Sequence, residues 1–388
     1  MRAIVLGAGM VGSVMAADLC REFEVTVADV REENLKAAQE RAARAGGTIS
    51  TLRVDLSDPN QVHRSVAPFD IVLGALASRI GFQSLRAVIE AGRNYCDISF
   101  MSEDAWSLDA LAKSRGVTVV VDMGVAPGMS NLLAGFEASR MDSCSDIEIY
   151  VGGLPRERSW PFQYKAGFSP HDVLEEYTRP TRLVEHGRIV VRPALTEPEN
   201  MEFPGLGTLE AVNTDGLRSL ASTMRVPFMK EKTLRYPGHY ELMRVLRATG
   251  LFSKEPIDVN GQAVVPLDVI ARLMFPMWTY KPGEEDLTVM RIINRGVRAG
   301  RGVRVHWDLL DYYDRASHAT SMSRTTAMPC TIMARLVASG RYRNPGVITP
   351  ELIGTDAAVV EMVLGELKSR NIVYTRTEMP DVPRMPGA

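Results

Sequence analysis

Through the first third of the chain, short apolar runs alternate with stretches whose apolar residues recur at helical spacing. This is the rhythm of βαβ units and a parallel sheet. It predicts strands over Arg2–Leu6, Glu24–Ala28, Ser50–Val54, Asp70–Leu76, Asn94–Ile98 and Val117–Val121, with helices between them, as at Glu32–Ala45 and Phe82–Ala91. Strands covered on both faces are continuously apolar, and Val117-Thr-Val-Val-Val121 fits that description. After about residue 125 the texture changes: Pro and Gly become frequent and the strands less continuous. Glu148–Val151, Arg188–Arg192, Asp286–Ile293 and Gly302–Leu309 read as strands, the last two as a hairpin across Arg295–Arg301. From Met328 the pattern is helical again, at Pro329–Ser339 and Asp356–Ser369. The expectation is an α/β protein in which 1–125, completed by 321–388, forms a parallel-sheet domain and 126–320 is an inserted second domain.

Composition narrows the class. With 388 residues, 45% hydrophobic and 24% charged, the chain can bury a full core. Its 45 Lys and Arg against 47 Asp and Glu remove the electrostatic case for nucleic acid or an anionic membrane as partner. Cys20, Cys96, Cys144 and Cys330 are scattered with no metal-ligand spacing, which suits a reducing compartment and predicts no metal site. The uncharged stretch between Arg2 and Asp18 is broken by glycines from Gly7 onward, so it is not read as a targeting helix. No run reaches the roughly 18 to 20 apolar residues of a membrane span. A cytoplasmic protein is expected.

Gly7-Ala-Gly9-Met10-Val11-Gly12 is a GxGxxG directly after a strand and at a helix start. Such glycines permit a tight turn, close approach of backbone to a pyrophosphate, and close helix–strand packing. The free N–H groups of the helix start complete the anion site. Asp29, 22 residues after Gly7 at the end of the second strand, is placed to bind ribose hydroxyls and repel a 2′-phosphate. NAD is therefore expected ahead of NADP, although Arg31 nearby could hold that phosphate. Val30, Asp55 and Leu56 at neighbouring strand ends, and Ala75 and Leu76 at the end of the fourth, complete the expected cofactor contacts. Asp55 reads equally well as a helix cap.

Several stretches resemble the saccharopine dehydrogenase-like family, particularly its lysine 6-dehydrogenase branch. They are Tyr95-Cys-Asp-Ile-Ser-Phe-Met101, Gly124-Val-Ala-Pro-Gly-Met-Ser-Asn131, Tyr150-Val-Gly-Gly-Leu-Pro155 and Ser169-Pro-His-Asp-Val-Leu-Glu-Glu-Tyr-Thr-Arg-Pro180. Thr214-Asp-Gly-Leu-Arg-Ser219, Thr233-Leu-Arg-Tyr-Pro-Gly-His239 and Ser321-Met-Ser-Arg324 follow in the family's order. Glu255–Glu284 departs from it by its length. The resemblance implies a Rossmann-type doubly wound parallel sheet with an inserted α/β substrate and dimerisation domain, and a homodimer. It also implies oxidation of a C–N bond of an amino acid, with lysine's ε-amine converted to 2-aminoadipate 6-semialdehyde and ammonia.

That chemistry needs a carboxylate clamp and a proton acceptor, since a lysine ammonium titrates near 10.4 and only the neutral amine releases hydride. Arg218, Arg235 and then Arg324 are the candidate clamps. Asp215 is expected to orient a neighbour, and Tyr164 and Asn131 to line the substrate cleft, although Asn131 could instead cap a helix. His239, Asp97, Asp122 and Lys165 are the candidate bases, and the residues alone do not choose among them. Two alternatives stay open: a saccharopine or carboxynorspermidine dehydrogenase, which would need further paired arginines, and a non-catalytic dinucleotide-binding sensor.

Overall fold

The computed structural model describes residues 1–381, and in it the six early apolar runs become strands: Arg2–Leu6, Glu24–Asp29, Ser50–Arg53, Ile71–Gly74, Asn94–Asp97 and Thr118–Val120. All pair in parallel, in the spatial order third, second, first, fourth, fifth, sixth. Gly346–Ile348, a strand the sequence pattern did not single out, adds in parallel at the sixth. Ile4, Leu6, Val72, Tyr95 and Val119 are fully buried, as strands covered on both faces require. The order reverses between the first and fourth strands, and the crevice outside the carboxyl ends at such a reversal is where open α/β sheets bind ligands. Gly7 and Ala75 leave the sheet at that point.

The chain divides into two compact units. The first holds Met1–Arg140, Asp314–Ala319 and Ser323–Tyr374; the second holds Met141–Tyr313, Thr320–Met322 and the residues from Thr375. These bounds differ from the expected ones at 125/126 and 320/321. Helix Met129–Ser139 goes with the first unit because Gly135 lies against the Glu351 backbone, where any Cβ would collide. The last strand, Tyr374–Pro380, goes instead with the second unit's sheet, and residues 382–388 of the expected tail lie outside those described.

The second unit is built on a nine-stranded mixed sheet. Its centre is the long strand Ser143–Pro155, parallel to Phe228–Arg235 on one side and antiparallel to Asp286–Arg298 on the other. Asp286–Arg298 forms a hairpin with Arg301–Tyr312, longer at both ends than the alternation alone predicted. Helices Pro170–Thr178, His239–Ala248 and Pro266–Trp278 contribute to one apolar cluster containing Val173, Tyr177, Tyr240, Met243, Met274 and Trp278. Among the described residues, no helix is long and apolar enough to cross a membrane.

Candidate active site

The glycine turn of the first unit has the shape of a phosphate cradle. Gly7 adopts φ +98°, and a Cβ there would collide with the Ala75 carbonyl oxygen. A Cβ on Gly12 would meet the Gly7 carbonyl, whereas one on Gly9 would meet nothing within 4 Å. Two glycines thus allow the turn to close, and the third leaves open space in front of helix Met10–Leu19. Met10 is exposed, and neither it nor Gly9 supplies a side-chain cap, so the first-turn N–H groups stay available for an anion.

Asp29 is engaged by the glycine turn itself. Its Oδ2 accepts the Ala8 N–H at 2.9 Å and the Asn34 amide at 3.2 Å, and its Oδ1 accepts the Arg31 N–H at 2.9 Å. The carboxylate therefore ties the second strand to the glycine turn. Val30 is exposed beside it, and the Val30 carbonyl accepts from Arg53 Nε at 3.3 Å. Two guanidinium-bearing residues, Arg31 and Arg53, consequently stand at this strand end. Asp55 is exposed and closes a local turn onto the Ser57 N–H and hydroxyl, while Asp58 caps the next helix; Leu56 is buried in the core.

Asp97 ends the fifth strand fully buried, and burial pushes its carboxyl up to about 7. Asp122, just past the sixth strand, is buried with φ 54°, an uncommon conformation for a non-glycine residue. Asn131 is fully buried; it accepts from Ser130 and its amide reaches Glu351 at 3.4 Å. Arg324 donates to the Arg370 carbonyl at 2.7 Å. Both were expected to meet substrate, and both have structural partners inside the first unit.

In the second unit, strand Phe228–Arg235 carries Glu231, Thr233 and Arg235 at alternate positions, hence on one face. Arg235 is 2% exposed. Its Nε donates to the Tyr177 hydroxyl at 3.0 Å, its Nη1 to the Leu234 carbonyl, and its guanidinium lies 4.4 Å from the Tyr164 ring centre. Glu176 stands 3.4 Å away, and burial outweighs Arg235 in raising its carboxyl to about 7. Glu231, held by Thr214 Oγ1 at 2.5 Å, is raised to about 8, again mainly by burial. One buried guanidinium thus lies among aromatic rings beside Glu176, with Glu231 on the same strand face and both carboxyls raised toward neutrality.

His239 belongs to this cluster but is no free base. Nδ1 lies 2.8 Å from the Phe162 carbonyl, which can only accept, so Nδ1 carries the proton. Nε2 then accepts from the Tyr177 hydroxyl at 2.9 Å. Burial, followed by the nearby Arg235 charge, lowers its pKa to about 3. Lys165 pairs with Glu284 at 2.6 Å, and Asp215 holds Arg182 through both oxygens at 2.9 Å. Arg218 lies half-buried with φ 52°. The structure therefore brings Arg235, Tyr164 and His239 together and gives Lys165 and Asp215 separate ion pairs.

Glu176, Tyr177 and Glu231 were missed from the sequence. The first two stand in Ser169–Pro180, a stretch that carried the family resemblance without singling out either side chain. Glu231 gave no signal, because a single acid in a charged strand, Phe228-Met-Lys-Glu-Lys232, reads as surface. Among the described residues no group of His, Cys, Asp or Glu side chains could hold a metal ion.

Comparison with known proteins agrees with this architecture. Residues 3–120 match the family model for the saccharopine dehydrogenase NADP binding domain, and residues 124–373 match that for the saccharopine dehydrogenase C-terminal domain. The chain is 24% identical to carboxynorspermidine synthase of Vibrio cholerae over 74% of its own length and 73% of that protein's. It is 20% identical to the NADP(+), L-glutamate-forming saccharopine dehydrogenase of Schizosaccharomyces pombe, covering 89% of this chain and 93% of the relative. With the mitochondrial alpha-aminoadipic semialdehyde synthase of Bos taurus it shares 22% identity, and there the chain spans only 47% of the relative's length. The apo saccharopine dehydrogenase (L-Glu forming) of Saccharomyces cerevisiae superposes with a TM-score of 0.79 at 18% identity, covering 97% of this chain and 99% of that one, and shares its fold. The first unit is thus a nicotinamide-dinucleotide-binding domain, and the chain belongs to the saccharopine dehydrogenase family, oxidoreductases that act on the C–N bond of amino acids.

Proposed function

We propose that this protein is an NADP-dependent dehydrogenase that oxidises the side-chain amine of a basic amino acid, with L-lysine as the leading candidate. The dinucleotide would lie on the glycine turn, its pyrophosphate against Gly9 and the first-turn N–H groups of helix Met10–Leu19, with Ala75 and Leu76 as the facing wall. When bound, a nicotinamide supplies the hydride acceptor. NADP replaces the expected NAD because Asp29 is engaged by the turn itself, while Arg31 and Arg53 offer cations to a 2′-phosphate. The matched domain's description and the fission-yeast relative's name point the same way.

The observation that carries the substrate reading is Arg235, a buried guanidinium beside Glu176, raised to about 7, and on the same strand face as Glu231, raised to about 8. The guanidinium fits one substrate carboxylate, and ionised Glu176 or Glu231 could accept a proton from an ammonium group. A substrate with one carboxylate and two amines, such as lysine, matches that charge count. The second reading, a carboxylated secondary amine, is favoured by the names of the relatives and would need further cations, of which half-buried Arg218 is one. A homodimer remains part of the proposal on the family resemblance alone.

Arg235 is tested by comparing lysine with its decarboxylated diamine in wild type, Arg235→Gln and Arg235→Lys. Losing a buried charge-assisted contact costs about 2 to 5 kcal/mol, so the glutamine variant should raise KM for lysine by at least about thirtyfold. KM for the diamine should change little, and the lysine variant should recover part of the loss. Equal effects on both substrates would assign Arg235 to the fold instead.

A further inference from the structure

Asp97 was a candidate base, yet its surroundings connect it to the cofactor side of the first unit. Its Oδ1 receives Ser99 Oγ–H at 2.7 Å, the Ser99 N–H at 3.1 Å and the Tyr95 hydroxyl at 3.2 Å. With its hydrogen directed to the carboxylate, Ser99 Oγ presents a lone pair to the Leu76 N–H, 3.2 Å away. Leu76 follows Ala75, whose N–H donates to the Leu6 carbonyl and whose own carbonyl packs against Gly7. Two hydrogen bonds therefore lead from Asp97 to the wall of the glycine turn. Gly74 is fixed by the same arrangement, since any Cβ there would collide with Tyr95 and Asp97.

We propose that Asp97 is a positioning residue for the dinucleotide: through Ser99 it holds the Ala75–Leu76 segment against the glycine turn and so sets dinucleotide affinity. The inference rests on the dinucleotide reading of the first unit. It gives a purpose to a carboxylate that is expensive to bury. The titratable groups facing it are Tyr95 and Cys96 from its own strand, Asp122 past the next strand, and Cys330 from helix Ser321–Ala338. None of these brings a positive charge. Burial accordingly holds the carboxyl up at about 7, and its Oδ2, without a hydrogen-bond partner, is the oxygen open to the proton. An ionised carboxylate holds the Ser99 hydroxyl about twice as strongly as a neutral acid does. The relay is therefore firm above neutrality and loosens below it.

The test is a fluorescence titration of NADPH into the full-length wild type, Ser99→Ala and Asp97→Asn at a series of pH values across neutrality. Ser99→Ala removes one oxygen and Asp97→Asn keeps the side-chain shape, so both keep the packing. At pH 8, Ser99→Ala should weaken dinucleotide binding by about tenfold, the loss of one hydrogen bond, with KM for the amine within about twofold of wild type. The ratio of the two dissociation constants should fall toward one below pH 7, where the wild-type relay has already loosened; the ratio cancels any titration of the ligand's own phosphate. Asp97→Asn, still an acceptor but unable to titrate, should bind with intermediate affinity and show no such trend against Ser99→Ala. A Ser99→Ala protein that binds like wild type at every pH, or a ratio constant with pH, would overturn the inference. A wild type that binds neither NADPH nor NADH would overturn the dinucleotide reading, and the inference with it.

Discussion

Arg31 and Asp29 stand two residues apart and pull cofactor choice in opposite directions. Main-chain N–H groups of Ala8 and Arg31 already bond the Asp29 oxygens, and on the proposed reading the cations beside it favour a 2′-phosphate. Arg31→Ala should raise the dissociation constant for NADPH about tenfold, as expected for one exposed charge-assisted contact, and leave that for NADH within about twofold. Equal weakening of both would return the ribose contact to Asp29. Gly7, Gly9 and Gly12 were readable because their roles depend on local backbone shape. Asp29 was readable in position but not in partner, since Ala8 and Asn34 reach it only once the strand and turn are assembled. His239 looked like a base by its usual pKa, and only the assembled fold shows its burial, its lowered pKa and its bonds to Tyr177 and the Phe162 carbonyl. Glu176 and Glu231 acquire raised pKa values from enclosure, which no spacing rule reports.

Between elements, the helix following the glycine turn is anchored by a half-buried ion cluster. Asp18 accepts from Arg335 Nη1 at 2.6 Å, Thr331 Oγ1 at 2.6 Å and Arg370 Nε at 2.9 Å, and these joined charges hold its pKa below the usual 3.8 against the cost of burial. Asp18→Ala would leave two guanidinium groups facing each other and should cost about 3 to 5 kcal/mol in urea unfolding. A depressed carboxyl contributes stability above its unfolded pKa and loses it as pH falls through the folded one. The deficit of the variant should therefore be full at neutral pH and shrink below about pH 4. A deficit unchanged in acid would mean that packing, not charge, is what Asp18 supplies. The parallel strands announced themselves because both faces are buried and the apolar runs are continuous. Helix Ser321–Ala338 was read as starting only at Pro329, since proline normally marks a first turn. In the fold, Asp286 receives the Ser321 and Met322 N–H groups at 2.7 and 2.9 Å and starts the helix eight residues earlier. Strand Phe228–Arg235 escaped detection for a related reason: its charged positions are paired, as Lys232 is with Glu199, and so can be buried.

For the whole molecule, the two-part division, the parallel sheet and the family were legible, and the substrate was not. Family motifs preserve the frame of the chain, whereas substrate choice depends on how many cations and carboxyls are buried at one place. On the proposed reading that place is the Arg235 cluster, with its guanidinium and the raised carboxyls of Glu176 and Glu231. Relatives of similar length carry names that denote secondary amines, so relatedness alone does not separate the readings. The direct measurement is the rate of NADPH formation with L-lysine, L-ornithine, saccharopine and a carboxylated polyamine, each at the same concentration and pH. The account predicts that lysine gives the highest kcat/KM, with ammonia and a semialdehyde as products. A preference for saccharopine or the carboxylated polyamine would contradict the primary-amine reading, and turnover of none of the four would contradict the account as a whole.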